Sequence, residues 1–133
     1  MNYSDNFLDI INIVDSLTKK ELLNICNGNF KDSPYVKYRK CLLIENNPVS
    51  FIEIYQLPNE EYNFIVLATK KEYRHKGYSC ILYNKMISEF QNYEKYKFMW
   101  RVNKDNINSY NLALKLNFKK FNETDSKIEL ILK

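Results

Sequence analysis

The sequence predicts an α/β (α+β) protein that folds as a single domain over residues 1–133. A chain of 133 residues is long enough for one hydrophobic core and short for two. Helical and strand-like periodicities alternate along it in the order α-α-β-β-β-α-β-α-β-β, with no repeats and no low-complexity linker. Its 45% hydrophobic and 27% charged residues are ordinary for a folded chain.

Two helices are predicted near the N-terminus. Apolar residues recur at helical spacing from Phe7 to Leu17, with Asp5 as a candidate N-cap. Residues 18–21 (TKKE) then form a capping box, and Gly28 is a natural end for the helix that this box opens. The residues that follow, 29–39, are predicted to form a loop.

Three strands are predicted after that loop. Residues 41–45 and a strand that begins at Val49 form an antiparallel hairpin around a turn at residues 46–48. Residues 57–60 (LPNE) mark a second turn, and the third strand covers residues 62–69.

The second half of the chain alternates helices and strands. Tyr78, Leu82, Met86 and Phe90 form a helical stripe, which predicts a core face packed on the sheet. The remaining predicted elements are a strand at 97–102, a helix at 107–116 and a final hairpin of strands at 118–122 and 127–132.

Composition and charge exclude several classes of protein. The net charge of +4 is modest, and the eleven tyrosines are spread along the chain without a nucleic-acid-binding motif, so we expect no nucleic-acid partner. We expect a cytoplasmic protein without membrane contact, because no secretory signal or membrane-length apolar run is present. The three cysteines are widely spaced and fit free thiols. No Cys/His cluster suggests a metal site. Abundant Asn, Lys, Ile and Tyr are typical of an A/T-rich bacterial or phage genome.

A basic turn between a predicted strand and a predicted helix is the strongest functional signal. One of only two glycines, Gly77, lies in it, followed by Ser79. A helix start offers unpaired N–H groups and the positive end of a dipole, which suit an anion such as a phosphate. The alternative is a solvated loop that Ser79 caps. The cations of the turn are Lys70, Lys71, Arg74, His75 (when protonated) and Lys76.

Two segments together resemble one known family. Arg74, Gly77 and Ser79 resemble the R/Q-x-x-G-x-G/A signature of the GNAT superfamily of N-acetyltransferases, and residues 100–121 resemble its later strand–helix–strand unit. The matching positions in that unit are Val102, Asn103, Asn106, Ser109 and Phe118, with Ser109 in place of a small Ala. Asn117 replaces the Gly before Phe118 and suits a left-handed helix C-cap.

The resemblance implies a fold and a co-substrate. It implies a mixed, mostly antiparallel central sheet with helices on both faces. The usual first strand of the family is expected to be missing or degenerate, because residues 1–4 are too few to supply it. The expected co-substrate is acetyl-CoA, whose pyrophosphate would lie on the backbone amides of the basic turn. No metal is implied.

The resemblance also implies which residues bind coenzyme A. The end of the third strand would pair with the pantetheine arm and donate N–H groups to the reaction's oxyanion. The Ser79 hydroxyl could add a hydrogen bond to phosphate. The expected coenzyme-binding residues are Leu67, Ala68, Thr69, Arg74, His75, Lys76, Gly77, Tyr78, Ser79, Asn106 and Ser109.

The catalytic positions of the family are not matched. Ala113 stands where the family usually has a general-acid Tyr, and Asn63 stands where some members have a general-base Glu. Tyr110 and Glu61 are the nearest candidates for these two roles. The alternative for Tyr110 is a core residue that packs with Ile107 and Leu114. For Glu61, and for Glu53 on the neighbouring strand, the alternative is a solvated side chain, with water accepting the proton of the amine.

The predicted function is therefore transfer of an acetyl group from acetyl-CoA directly to a primary amine. The main alternative is a catalytically weak or inactive module that binds acyl-CoA, which Ala113 and Asn63 favour. A third reading, a basic interaction protein unrelated to acetyl-CoA, disagrees with the paired motifs. A homodimer is also predicted, because a missing first strand leaves a sheet edge that a second copy could cover.

Overall fold

A computed structural model describes residues 2–11, 13, 34–90 and 95–132 of the chain. Within them, seven strands form one sheet in the order β1-β2-β3-β4-β5-β7-β6. The strands are β1 (Asn2–Ser4), β2 (Val36–Ile44), β3 (Asn47–Tyr55), β4 (Asn63–Thr69), β5 (Phe98–Asn103), β6 (Phe118–Glu123) and β7 (Lys127–Leu132). The helices are α1 (Phe7–Ile11), α2 (Tyr78–Glu89) and α3 (Ile107–Lys115), with a 3-10 helix at Lys71–Tyr73.

The first strand is present, so the expectation that it is missing was wrong. β1 pairs antiparallel with β2 in a register that places Asn2 opposite Leu43 and Ser4 opposite Cys41. Three residues suffice for an edge strand, because short edges are one way in which sheets limit further pairing. A homodimer was predicted because a second copy could cover an open sheet edge. β1 already covers residues 41–43 of β2, so this reason for a homodimer does not apply there.

The β2–β3 hairpin is longer than the sequence predicted. β2 begins at Val36 rather than Cys41, and residues 36–39, which the sequence placed in a loop, belong to the strand that pairs with β3. The turn lies at Glu45 and Asn46, whose φ angles are 50° and 66°. Two-residue hairpin turns with positive φ match the twist of the strands that they join, which explains why the turn precedes the predicted one.

The sheet carries a hydrophobic core on each face. On one face α2 and α3 cover a core that includes Leu42, Leu67 and Trp100, whereas α1 lies with the other core, around Phe51 and Tyr55. The α2 stripe packs as predicted, because Leu82 and Met86 are buried and Tyr78 and Phe90 are partly buried against the same core. This double burial explains why β3 and β4 read as nearly continuous apolar runs.

The pairing between β4 and β5 positions the functional site. These two strands are parallel, and their register covers only two pairs, Asn63 with Phe98 and Phe64 with Met99. Beyond Phe64 the described pairing stops, and the carboxyl end of β4 is not bonded to β5. Ligands of sheets with parallel strands bind at the carboxyl ends where neighbouring strands diverge.

The N-terminal helix predictions are tested only in part. α1 begins after Asn6, whose side chain accepts a hydrogen bond of 3.0 Å from the backbone N–H of Leu8, so Asn6 rather than Asp5 provides the cap. Val14, Leu17 and the predicted second helix at residues 18–28 lie outside the described residues. Among the helices that are described, none is long and apolar enough to cross a membrane.

Candidate functional site

A groove of about 270 Å³ opens between the end of β4, the basic turn and the start of α3. All of the predicted coenzyme-binding residues except Lys76 line it. It therefore brings together segments that are some 40 residues apart in sequence. The further lining residues, which the sequence did not indicate, are Tyr73, Cys80, Asn108, Asn111, Leu112 and Lys115.

The basic turn presents the N-terminus of α2 to the groove. Gly77 is the N-cap residue with φ 81° and ψ 6°, and no side chain caps the helix. A Cβ added at Gly77 would meet nothing within 4 Å, so the left-handed backbone, rather than crowding, requires glycine there. The first N–H groups of α2 have no partner within the helix, and they are available to an anion.

Arg74 ties the turn to the end of β4. Its Nε donates a hydrogen bond of 3.1 Å to the carbonyl oxygen of Thr69, and the side chain is half-buried. His75, which follows, has a φ of 64°. Lys76 lies outside the groove lining and places its Nζ 5.8 Å from the centre of the Tyr73 ring. The turn is therefore held in shape by contacts with its own strand and with the neighbouring 3-10 helix.

A chain of three hydroxyls connects the groove to the sheet. Ser50 Oγ donates to the carbonyl oxygen of Ala68 at 3.0 Å and lies 2.7 Å from Thr69 Oγ1. Thr69 Oγ1 in turn lies 2.8 Å from Ser79 Oγ. Ser50 is fully buried, Thr69 is nearly so, and Ser79 is half-buried at the groove.

The other wall of the groove is the start and outer face of α3. Asn106 is its N-cap residue, and its Oδ1 accepts a hydrogen bond of 3.3 Å from the backbone N–H of Ser109. At the other end of the helix, Asn117 adopts a φ of 71°, which confirms the predicted left-handed C-cap. Both ends of α3 are thus fixed by asparagines.

The electrostatic character of the groove is positive. Its lining includes the cations Arg74 and Lys115, whereas no Asp or Glu appears among the described residues that line it. An arrangement of cations without carboxylates favours an anionic ligand. The helical spacing of Asn108, Asn111 and Lys115 places them on one face of α3, which is the sequence signal that could have identified this wall.

The groove does not include either predicted catalytic residue. Glu61 precedes β4 rather than lying on it, is exposed, and forms an ion pair with Lys97 beside the amino end of the strand. Tyr110 is partly buried against the core under α3. This packing fits the alternative that Tyr110 is a core residue, but Ile107 and Leu114, which were expected in the core with it, are 64% and 43% exposed.

The positions that the family uses for catalysis are buried in this chain. Ala113 is fully buried, and Asn63 is 5% exposed. Neither side chain can exchange a proton at neutral pH. Nor do the described residues contain a cluster of three His, Cys, Asp or Glu side chains that could hold a metal ion.

Glu53 is buried rather than solvated, which corrects the alternative considered for it. Its Oε2 accepts hydrogen bonds from Arg39 at 2.7 and 2.8 Å, and its Oε1 accepts one of 2.9 Å from the Tyr55 hydroxyl. Burial raises the pKa of the nearby Cys41 thiol to about 12, and the carboxylates of Asp9 and Glu53 add to this effect. Cys41 is therefore a packed thiol and not a nucleophile.

Solved structures with the same fold include several acetyltransferases. The PaiA N-acetyltransferase of Thermoplasma acidophilum, solved with coenzyme A, matches with a TM-score of 0.71 at 12% identity over 99% of this chain and 98% of its own. The ribosomal-protein-S18-alanine N-acetyltransferase of Escherichia coli matches with a TM-score of 0.68 at 12% identity, over 98% and 92% of the two chains.

A third match was solved with acetyl coenzyme A. This protein of Bacillus anthracis has a TM-score of 0.61 and 18% identity, over 80% of this chain and 66% of its own. At these identities the likeness establishes the fold alone. Among curated proteins, none matches the sequence.

The sequence also matches a family model directly. The model of the acetyltransferase (GNAT) family aligns with residues 13–118, which include β2 to β5, the basic turn, α2 and α3. This match covers most of the chain and contains all of the residues that line the groove. The protein therefore belongs to the GNAT family of acetyltransferases.

Proposed function

We propose that the protein is an N-acetyltransferase that moves the acetyl group of acetyl-CoA directly to a primary amine. The observation that carries this proposal is the groove, which joins the end of β4 that is not bonded to β5, a helix N-terminus without a side-chain cap, and Arg74 of the basic turn. A coenzyme with a diphosphate and a long amide-containing arm needs these three features side by side. The chemistry of the acceptor beyond its amine stays open.

The residues of the groove fit coenzyme A. Its diphosphate would lie on the N–H groups at the start of α2, where the helix dipole and Arg74 favour negative charge. Its pantetheine amides would pair with the backbone at Leu67 and Ala68, since β4 is not bonded to β5 there. The absence of carboxylates among the described lining residues avoids repulsion of the phosphates.

The transfer itself would depend more on position than on acid–base side chains. Bound acetyl-CoA supplies an activated thioester carbonyl. The N–H groups at the end of β4 would stabilise the oxyanion that forms when the amine attacks, a contribution of about 3–4 kcal/mol in enzymes with such a donor. Thiols ionise far more readily than alcohols, with a pKa of about 8.5 for cysteine, so coenzyme A can leave as the thiolate and the lack of a Tyr at Ala113 does not prevent the reaction. Water is the proposed acceptor of the amine's proton.

Thermal unfolding with and without acetyl-CoA is the first test. Ligand at 100 times its Kd stabilises a protein by about 2.7 kcal/mol, which is a clear rise in Tm for a domain of this size. Acetyl-pantetheine, which lacks the diphosphate and the nucleotide, is the matched control and should stabilise less. No rise at millimolar acetyl-CoA would contradict coenzyme binding altogether.

Release of free thiol from acetyl-CoA, measured over a panel of amines, then tests turnover. The panel should contain small amines, peptides with a free N-terminus and lysine-containing peptides. Thiol release that depends on the amine would establish acetyl transfer and identify the class of acceptor.

The second candidate function is a non-catalytic module that binds acyl-CoA. It is favoured by the buried Ala113 and by the location of Glu61 and Tyr110 outside the groove. A rise in Tm with acetyl-CoA but no thiol release with any amine would support it.

A further inference from the structure

The direction of the hydroxyl chain can be deduced by counting its hydrogens. Ser50, Thr69 and Ser79 each carry a single hydroxyl hydrogen, and the carbonyl oxygen of Ala68 can only accept. Because Ser50 donates to Ala68 at 3.0 Å, the 2.7 Å contact must be a donation from Thr69 to Ser50. The 2.8 Å contact must then be a donation from Ser79 to Thr69.

This direction has a consequence for the groove. The hydrogen of Ser79 points toward Thr69, so the oxygen of Ser79 presents only lone pairs to the groove. Lone pairs repel the oxygens of a phosphate, whereas the surrounding backbone N–H groups and cations attract them. In the free protein, one group of an otherwise favourable anion site is thus oriented against its ligand.

We propose that Ser50, Thr69 and Ser79 form a reversible hydrogen-bond relay whose direction depends on whether the diphosphate of coenzyme A is bound. In the bound direction, Ser79 donates to a phosphate oxygen, Thr69 donates to Ser79, and Ser50 donates to Thr69. Every hydroxyl keeps its own hydrogen and only rotates about its C–O bond, so no proton leaves the chain. Ser79 is then a contact residue, while Thr69 and Ser50 are positioning residues.

The exchange of bonds favours the bound direction when the anion is present. Reversal breaks one neutral hydrogen bond, from Ser50 to the Ala68 carbonyl, and forms one charge-assisted bond from Ser79 to phosphate. Charge-assisted bonds are about twice as strong as neutral ones. The released carbonyl is that of Ala68 at the end of β4, which lines the groove. Binding of an anion therefore changes the hydrogen bonding of β4. This inference rests on the proposed binding of coenzyme A.

Affinities for coenzyme A and acetyl-pantetheine, measured by calorimetry, test the relay. S79A should weaken coenzyme A binding by about ten-fold, as loss of a hydrogen bond to a charged group does. S50A should instead tighten it by about five-fold, because binding no longer breaks the bond to Ala68. Acetyl-pantetheine has no diphosphate, so its affinity for both variants should equal its affinity for the wild-type protein.

The double variant distinguishes a relay from an ordinary structural role. S50A should have no effect in an S79A background, because the chain then lacks its contact to the ligand. Three results would each overturn the relay. S50A could change the affinity for coenzyme A equally in the wild-type and S79A backgrounds, the S50A single variant could bind coenzyme A more weakly than the wild type, or S79A could leave the affinity unchanged. Failure of the wild-type protein to bind coenzyme A would instead overturn the proposed function.

Thr69→Val provides a second route if S50A does not fold. Valine keeps the shape of threonine but removes the hydroxyl, so Ser79 can donate to phosphate without reversing a chain. The relay predicts coenzyme A affinity in this variant at least equal to that of the wild type. If Thr69 only supports Ser79 rigidly, affinity falls, and that result would contradict the relay.

Discussion

Two polar clusters on the central strands of the sheet differ in how fully their charges and hydrogen-bonding groups are matched by partners within the protein. On one face Glu53 accepts from Arg39 and Tyr55, so a buried negative charge meets a positive one and the cluster is closed. At the end of β4 on the other face, an uncapped helix and positive side chains surround a groove without carboxylates among its described lining residues. Charges that are matched internally hold the fold together, whereas a helix start without a side-chain cap, set among cations, indicates an anionic ligand.

The largest expected effect concerns the closed cluster. Glu53→Ala removes the carboxylate that faces Arg39, and breaking a buried pair from one side costs about 3–5 kcal/mol. Urea unfolding should show this loss in the free energy of unfolding. The matched control is Glu61→Ala, which breaks the exposed pair with Lys97 and should leave the free energy of unfolding almost unchanged. Equal losses in the two variants would contradict the distinction between the clusters.

The next largest effect should appear at the groove. Gly77→Val forces a β-branched residue into a φ of 81° and places its side chain on the open side of the turn. We expect coenzyme A affinity to fall about 100-fold, equivalent to about 2.7 kcal/mol. Asn117→Gly, at a similar φ outside the groove, is the control and should bind normally. Unchanged affinity in the Gly77 variant would show that the turn is not the phosphate site.

A smaller effect is expected from the far wall of the groove. Lys115→Ala removes a cation that lines the groove and should weaken coenzyme A binding several-fold at low salt, and less at high salt because screening reduces the attraction. Lys119→Ala, on the exposed edge of β6, removes the same charge outside the groove. Similar losses of affinity in both variants would mean that only the net charge of the protein matters. Lys115 would then not be part of the coenzyme-binding site.

The smallest expected effects concern the predicted catalytic residues. Glu61→Gln and Tyr110→Phe each remove one proton-exchanging group, and general acid–base residues contribute typically about 100-fold or more to the rate. Because both residues lie outside the groove, we expect kcat with the best amine to change by less than about two-fold. A loss of 100-fold in either variant would restore that residue as the acid or base and displace water from the role.

The sequence predicted features that depend on local chemistry. The basic turn could be recognised because Gly77, Arg74 and Ser79 lie within six residues, and the α2 stripe because it repeats at helical spacing. The left-handed Asn117 followed from the known tolerance of asparagine for positive φ. The family pattern then connected the turn with Asn106 and Ser109 across β5.

Features that depend on distant pairing were missed. Residues 36–39 were predicted as part of a loop that contains Pro34, because the ion pair that places Arg39 in β2 involves Glu53, fourteen residues away across the hairpin. β1 was missed because three residues carry no periodicity. The hydroxyl chain depends on the register of β3 and β4, which sets Ser50 opposite Thr69, and no local pattern fixes that register.

The short pairing between β4 and β5 has a mechanical consequence. Two residue pairs join the half of the sheet formed by β1 to β4 with the half formed by β5, β7 and β6. A ligand that lies in the groove contacts β4 from the first half and the start of α3, which follows β5, from the second. The bound ligand would link the two halves where few strand pairs join them. The two halves should then unfold together, at a temperature that rises with the concentration of the ligand.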